Sequence, residues 1–132
     1  MNANHSRKTV ALIAHDGKKS DLVDFVKTHR VWFEQFDLVG TGTTGGRIAQ
    51  LNLKVECLAS GPLGGDAQIA SRITEGLVHA VIFFRDPMGK HPHEPDINML
   101  LRQCDVHRIP LATNVSTAQL FVASAGFANF SS

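Results

Sequence analysis

The chain has 132 residues, which is enough for one domain and too few for two well-filled cores. Its 43% hydrophobic content supplies a core, while 13 basic and 12 acidic residues give a formal net charge of only +1. That balance creates no overall field to attract nucleic acid or a membrane surface, so we expect a small-molecule partner. We interpret residues 1–132 as a single domain and expect residues 1–8 to be a flexible N-terminus.

Two features of the sequence bear on the compartment. The apolar runs are far shorter than the roughly 20 residues that a membrane helix needs. The two cysteines, Cys57 and Cys104, are too few for a disulfide framework and form no CxxC pair, which favours reduced thiols. The sequence therefore predicts a cytoplasmic protein.

Five short apolar runs predict β-strands. Most of them lack polar alternation, which is typical of strands covered on both faces. The runs cover residues 9–14, 36–39, 54–58, 80–84 and 109–112.

The stretches between these runs have helical spacing. Apolar residues three and four apart predict a helix that begins near residues 18–20 and keeps its rhythm to Phe36, and a short helix after Thr44. Further helices are predicted after Asp66, from Pro95 or Asp96, and from Ser116. Strands that alternate with helices predict a single doubly wound α/β domain with a five-stranded, mainly parallel sheet and helices on both faces.

Small or titratable residues follow every predicted strand. In an open parallel sheet, ligands bind beyond the carboxyl ends of the strands. Five loops that combine glycines with titratable groups are therefore expected to converge on one crevice. These segments are residues 15–19, 40–46, 60–66, 85–96 and 113–114.

The second of these segments is rich in glycine and threonine. Residues 40–45 match G-x-G-x-x-G, but the chain is too short for two mononucleotide halves and lacks an acidic residue at the expected place. A cradle for a phosphomonoester is the better interpretation, with donors from the backbone at Gly42 and from the hydroxyls of Thr41, Thr43 and Thr44. The alternative is that these glycines only form a tight corner.

Two further parts of the sequence are predicted to complete the cradle. Ser60 and Gly61 begin a second glycine-rich loop after the neighbouring strand. Lys19 brings an ammonium, which suits phosphate as a point charge. The alternative for Lys19 is a solvated lysine at the start of a helix.

Candidate groups for proton transfer lie in the third and fourth segments. Asp66 follows two glycines and opens a helix, so it is either a general base or simply an N-cap. His93 is interpreted as a neutral group that donates or relays a proton, with Asp96 or Asp86 orienting it.

His91, His93 and Glu94 have the alternating pattern of some zinc ligands. No second cluster supplies the remaining ligands at a recognisable spacing, so we expect no metal.

Taken in order, these segments resemble the methylglyoxal synthases. Each motif alone is weak, but the ordered set is specific and spans the chain from about Thr9 to Phe121. The matching residues are 14–16 with Lys19, then 40–45, 60–66, 83–87, 92–96 and 110–114.

The resemblance implies that the substrate is dihydroxyacetone phosphate and that the products are methylglyoxal and inorganic phosphate, which is also an expected inhibitor. It implies no cofactor, no metal and a homohexamer. Carried over residue by residue, Asp66 is the base, His93 polarises the carbonyl and moves a proton on the enediolate, and His15 is a second contact. Asp96 completes the catalytic group.

The same resemblance assigns the remaining site residues. Asp16 and Asp86 are supporting carboxylates. The residues implied to bind the substrate and its phosphate are His15, Lys19, Thr41, Gly42, Thr43, Thr44, Ser60, Gly61 and His93.

Two other functions stay open. The same fold serves as a regulatory domain attached to carbamoyl phosphate synthetase, where it binds effectors without catalysis; that explains a phosphate cradle but not Asp66 and His93 beside it. A triose phosphate isomerase needs the same base and differs only in its product. A nucleotide-binding oxidoreductase is disfavoured and is separated by an assay without cofactor.

Overall fold

The computed structural model describes residues 7–59, 64–89, 97–124 and 126–127, in which strands and helices alternate. The strands are β1 (Thr9–Ala14), β2 (Asp37–Thr41), β3 (Val55–Leu58), β4 (Ala80–Phe84) and β5 (Leu111–Ala112). The helices are α1 (Lys19–Thr28), α2 (Arg30–Phe33), α3 (Gly42–Ala49), α4 (Gly65–Thr74), α5 (Ile97–Val106) and α6 (Val115–Ala123). A 3-10 turn, Asp16–Lys18, precedes α1.

The strands form one sheet in the order β3-β2-β1-β4-β5, and each of the four pairings is parallel. The central strand is β1, where Leu12 lies opposite Gly40 on one side and Ile82 on the other. All carboxyl ends of the strands therefore meet at one edge. The predicted five-stranded parallel α/β fold is confirmed.

Successive residues of the central strands pack on opposite faces of the sheet, as a strand's period of two requires. Leu12 and Ile82 join a buried cluster with residues of α1, α2, α3 and α6. Ile13 and Phe83 join a second cluster with residues of α4 and α5. Helices thus cover both faces, which explains why the strand sequences lack polar alternation.

The helical rhythm that the sequence carries from about residue 18 to Phe36 is divided in the structure. Helix α1 ends at Thr28, and α2 begins at Arg30 after His29, whose φ and ψ of −109° and 32° are not helical. Beyond this break, Trp32 and Phe36 pack in the same cluster as Phe25 and the sheet. Periodicity predicted which residues are buried but not the change in direction.

The glycine-rich segment is also different from the prediction. Strand β2 runs to Thr41 and α3 begins at Gly42, so the predicted loop is the end of a strand and the first turn of a helix. A Cβ added at Gly40 would lie 2.9 Å from the Cα of Gly45, and one added at Gly45 would lie 3.0 Å from the Gly40 oxygen. These two glycines let α3 pack directly on β2.

In the described part of the chain, no helix combines the length and the apolar character needed to cross a membrane.

Candidate active site

His15 is the first residue after β1 and is only 5% exposed. Its backbone N–H donates to the Phe84 oxygen (3.1 Å), which prolongs the pairing of β1 with β4. Its ring Nδ1 accepts the backbone N–H of Asp86 (2.9 Å), and the ring meets Phe83 edge-on with centroids 5.2 Å apart. Because Nδ1 is an acceptor in this bond, the neutral ring carries its proton on Nε2. His15 is thus held as an Nε2–H donor.

Asp86 brings the loop after β4 against the loop after β1. It is half-buried, and its Oδ1 accepts the backbone N–H of Met88 (3.1 Å). Its other carboxylate oxygen, Oδ2, would be 2.6 Å from a Cβ at Gly17. The sequence predicts that the loops after parallel strands converge at one edge, and these two loops do meet in the structure.

Lys19 connects the loop after β1 to helix α3. Its Nζ donates to Thr43 Oγ1 (2.8 Å) and lies 2.9 Å from Asp16 Oδ1. Thr43 is in the first turn of α3, so the ammonium lies at the N-terminal end of that helix. Lys19 is therefore not a lysine that only projects into solvent.

The three threonines of the predicted cradle have different surroundings. Thr43 is exposed and contacts Lys19, whereas Thr41 and Thr44 are buried, with 7% and 1% of their surface exposed. Thr41 is the N-cap of α3 and Thr44 lies in its first turn. The structure thus presents the Thr43 hydroxyl at the surface; the roles of Thr41 and Thr44 stay predictions.

Asp66 lies inside the first turn of α4 and is half-buried. The N-cap of that helix is Gly64, whose φ of +99° is in the left-handed region that favours glycine. Asp66 Oδ1 accepts the backbone N–H of Ala67 (3.0 Å). The interpretation of Asp66 as an N-cap is therefore wrong, because Gly64 holds that position.

Four of the predicted site residues, Ser60, Gly61, His93 and Asp96, lie outside the described residues, as do His91 and Glu94. Their assignments stay predictions. Among the residues that the structure does describe, no three His, Cys, Asp or Glu side chains are grouped so that they would hold a metal ion.

The helices that follow the strands add a common electrostatic feature. Helices α1, α3, α4 and α6 all begin after the carboxyl end of a strand. Asn114 caps α6 by accepting the Thr117 N–H (3.0 Å), and the Arg85 N–H donates to the Thr113 oxygen (3.2 Å), which joins the ends of β4 and β5. Helix N-termini carry partial positive charge and unpaired N–H groups, so this edge favours an anion.

Arg47 is a residue of this region that the sequence analysis did not select. Its guanidinium Nη2 donates to the hydroxyl of Ser20 (3.3 Å), one residue after Lys19. A signal was present in the sequence: Arg47 follows Thr43 by four residues and so lies on the same face of α3. It adds a second cation near the junction of α1 and α3.

These observations define a class of protein: a parallel α/β domain with a candidate anion site at the carboxyl edge of its sheet. A fixed histidine, carboxylates and hydrogen-bond donors meet at that edge. The MGS-like domain family model matches residues 21–113. The chain belongs to this methylglyoxal synthase-like family, and the resemblance found in the sequence is confirmed.

Individual relatives agree with the family match. A methylglyoxal synthase of Ralstonia nicotianae is 54% identical over 123 residues, which are 92% of this chain and 91% of that protein. One of Cupriavidus pinatubonensis is 56% identical over 119 residues, or 89% of this chain and 92% of that protein. A crystal structure of methylglyoxal synthase from Elizabethkingia anophelis has a TM-score of 0.89 and 42% identity, covering 93% of this chain and 82% of that one.

Proposed function

We propose that the chain is a carbon–oxygen lyase that converts dihydroxyacetone phosphate to methylglyoxal and inorganic phosphate. Similarity to methylglyoxal synthases over about nine-tenths of the chain supports this reaction. The observation that carries it is the layout of the loop after β1. His15 at one end is fixed by Asp86, and Lys19 at the other end contacts Thr43, so a hydrogen-bond donor and a phosphate countercharge are four residues apart.

The reaction begins with removal of a proton from the hydroxymethyl carbon beside the carbonyl. We assign this step to Asp66, a half-buried carboxylate at the start of α4. The electron pair moves onto the carbonyl oxygen and gives an enediolate. His15 Nε2–H is assigned as one donor to that oxygen, and His93 as the group that polarises it and moves its proton, with Asp96 in support.

Phosphate leaves in the second step. The hydroxyl on the former hydroxymethyl carbon becomes a carbonyl and gives its proton to the departing phosphate, while the double bond shifts and the carbon–oxygen bond on the other side of the original carbonyl breaks. The enolate that remains takes up a proton on its methylene carbon to become methylglyoxal. We assign a set of donors to stabilise the negative charge of the departing phosphate. They are Lys19, the Thr43 hydroxyl and the N–H groups at Gly42, together with Thr41, Thr44, Ser60 and Gly61. We assign no metal and no cofactor to either step.

We also propose a homo-oligomer, with a hexamer as the expected form, and a cytoplasmic location. Helix α6 contains no charged residue, yet Ala118 is its only buried residue and Leu120 is 70% exposed. Such a surface suits contact with another subunit. Sedimentation velocity will give the number of subunits. The location is supported by Cys57 and Cys104, which are free thiols.

The direct test mixes chelator-treated protein with dihydroxyacetone phosphate and follows methylglyoxal and free phosphate together. Release of both in equal amounts without added cofactor is the expected result. Saturable binding of the substrate without product would instead support a binding domain of the same fold. Formation of glyceraldehyde 3-phosphate would support an isomerase.

A further inference from the structure

The ammonium of Lys19 lies at an electrostatically unfavourable place. Thr43, which accepts its hydrogen bond, is in the first turn of α3, where the helix dipole is positive. A cation at a helix N-terminus is repelled by that dipole unless an anion accompanies it. Asp16 supplies the anion, because its Oδ1 is 2.9 Å from Lys19 Nζ.

A phosphate group held at the N-terminus of α3 would need the same ammonium. Asp16 would then either share Lys19 with the phosphate or give it up, and in both cases a carboxylate would lie close to a phosphate dianion. Like charges at short range repel, so the Asp16 carboxylate opposes phosphate binding while it keeps Lys19 in position.

We propose that Asp16 is a positioning residue that competes with the substrate's phosphate group for Lys19, so that inorganic phosphate is released readily after elimination. This proposal rests on the proposed function, since it needs Lys19 to bind phosphate. The exposures of the two side chains also fit a weak pair. The Asp16 side chain is 76% exposed and that of Lys19 is 24% exposed, so water screens the carboxylate while the ammonium lies closer to the protein and to Thr43.

The size of the effect is set by the exposure of the pair. An ion pair as exposed as this one is weak and is screened by salt. Removing the charge of Asp16 is expected to tighten binding of inorganic phosphate by about two- to tenfold at low ionic strength. The gain should shrink as salt is added, because screening weakens the repulsion that the variant removes.

The test measures the dissociation constant of inorganic phosphate by calorimetry for the wild type, Asp16→Asn and Asp16→Glu. Asp16→Asn should bind more tightly, and Asp16→Glu, which keeps the charge, should remain close to the wild type. Asp21→Asn is the matched control. Asp21 pairs with Lys18 at the same i,i+3 spacing (3.7 Å), so its substitution removes an equal charge from a neighbouring pair that does not contact Thr43.

Weaker or unchanged phosphate binding by Asp16→Asn would overturn the proposal. An equal gain in affinity in Asp21→Asn would also overturn it, because the gain would then come from the change in net charge alone. A merely structural role for Asp16 cannot produce a salt-dependent gain in affinity. The wild type separates the role of Asp16 from the proposed function. If it releases methylglyoxal but Asp16→Asn shows no gain, only the role of Asp16 fails; if it neither binds phosphate nor releases methylglyoxal, both fail.

Discussion

At each end of the sheet, a histidine Nδ1 accepts a backbone N–H, but the residues around the two histidines differ. At the carboxyl end, His15 Nδ1 accepts the backbone N–H of Asp86 at 2.9 Å. At the amino end, His79 Nδ1 accepts the backbone N–H of Thr9 at 3.0 Å. Each bond fixes one tautomer of a neutral ring beside the central strand β1. The hydrogen bond alone therefore does not distinguish a site residue from a structural one.

The surroundings make the difference. Four helices begin after strand ends at the carboxyl edge of the sheet, where His15 also lies, and Asp16 and Lys19 follow His15 within four residues. Around the amino end, charged side chains tie the framework together instead. Arg72 holds both carboxylate oxygens of Glu56, which joins α4 to β3, and this hydrogen bond lowers the pKa of Glu56. Charges at one end therefore hold secondary-structure elements together, whereas Asp16 and Lys19 at the other end belong to the proposed phosphate site.

The largest expected effect tests whether the chemistry occurs at the carboxyl end. Asp66→Asn removes the proposed base and should lower turnover by about 10²–10⁴-fold, while phosphate affinity stays close to the wild-type value. Product formation and phosphate calorimetry measure the two quantities. Glu56→Gln makes the same change of carboxylate to amide at the other end and should keep full turnover. Normal turnover in Asp66→Asn would remove Asp66 from the mechanism.

A second experiment replaces His15 and His79 by asparagine in separate variants. Asn can place an acceptor where Nδ1 lies but has nothing at Nε2, so His15→Asn should keep the bond to Asp86 and lose the proposed donor. We expect turnover to fall by about 10²–10³-fold, as for loss of one donor to an oxyanion. His79→Asn should keep full turnover. Equal losses in both variants would show that the two ends do not differ in function.

The sequence predicted the fold because burial on both faces leaves a strong signal. The bounds of β1 and β4 match the apolar runs, since these central strands are covered by helices on both sides. The bounds of β2 did not match. Glycine is disfavoured in strands, but in the structure Gly40 pairs with Cys57 and Thr41 pairs with Leu58 of β3, and Gly40 makes room for α3. Tertiary packing overrides local preference there.

The site was predicted in outline, because residues after parallel strands must share one edge. Its contacts were not predictable. The bond from Asp86 to His15 joins residues 71 positions apart and uses a backbone N–H, which leaves no trace in residue type. The pairing of Lys19 with Thr43 spans 24 positions and depends on how closely α3 approaches α1. The sequence therefore predicted the candidate site residues but not the contacts between them.

A third experiment tests how closely the glycine-rich segment packs. A Cβ at Gly40 would meet backbone atoms of Gly45, whereas one at Gly46 would meet nothing within 4 Å. Gly40→Ala should therefore lower the free energy of unfolding by about 1–3 kcal/mol, because α3 must move. Gly46→Ala, in α3, should raise it by about 0.4–1 kcal/mol by restricting the unfolded chain. Denaturant titration measures both values, and equal stability of the two variants would contradict the close packing of α3 on β2.

The smallest expected effect concerns His79 and the pH dependence of stability. Burial, and then the nearby charge of Lys8, lower the pKa of His79 from its ordinary value of 6.5. Above pH 6.5 the ring is neutral in both the folded and the unfolded chain, so its contribution to stability is complete. As the pH falls below that value and through the lower folded pKa, the unfolded chain binds more protons and stability is lost. Protonation of Nδ1 would also break the bond from Thr9, which ties the start of β1 to that of β4.

His79→Asn isolates this effect, because asparagine can accept the Thr9 N–H but does not titrate. Denaturant unfolding at several pH values from about 5 to about 8 should show a smaller loss of stability on acidification in the variant than in the wild type. The size of the loss is limited because His79 is only partly buried, so solvent screens its charge. Parallel pH profiles for the two proteins would show that the Thr9 bond does not depend on the charge of His79. The amino-end histidine would then lack even the modest sensitivity to protonation that its hydrogen bond implies.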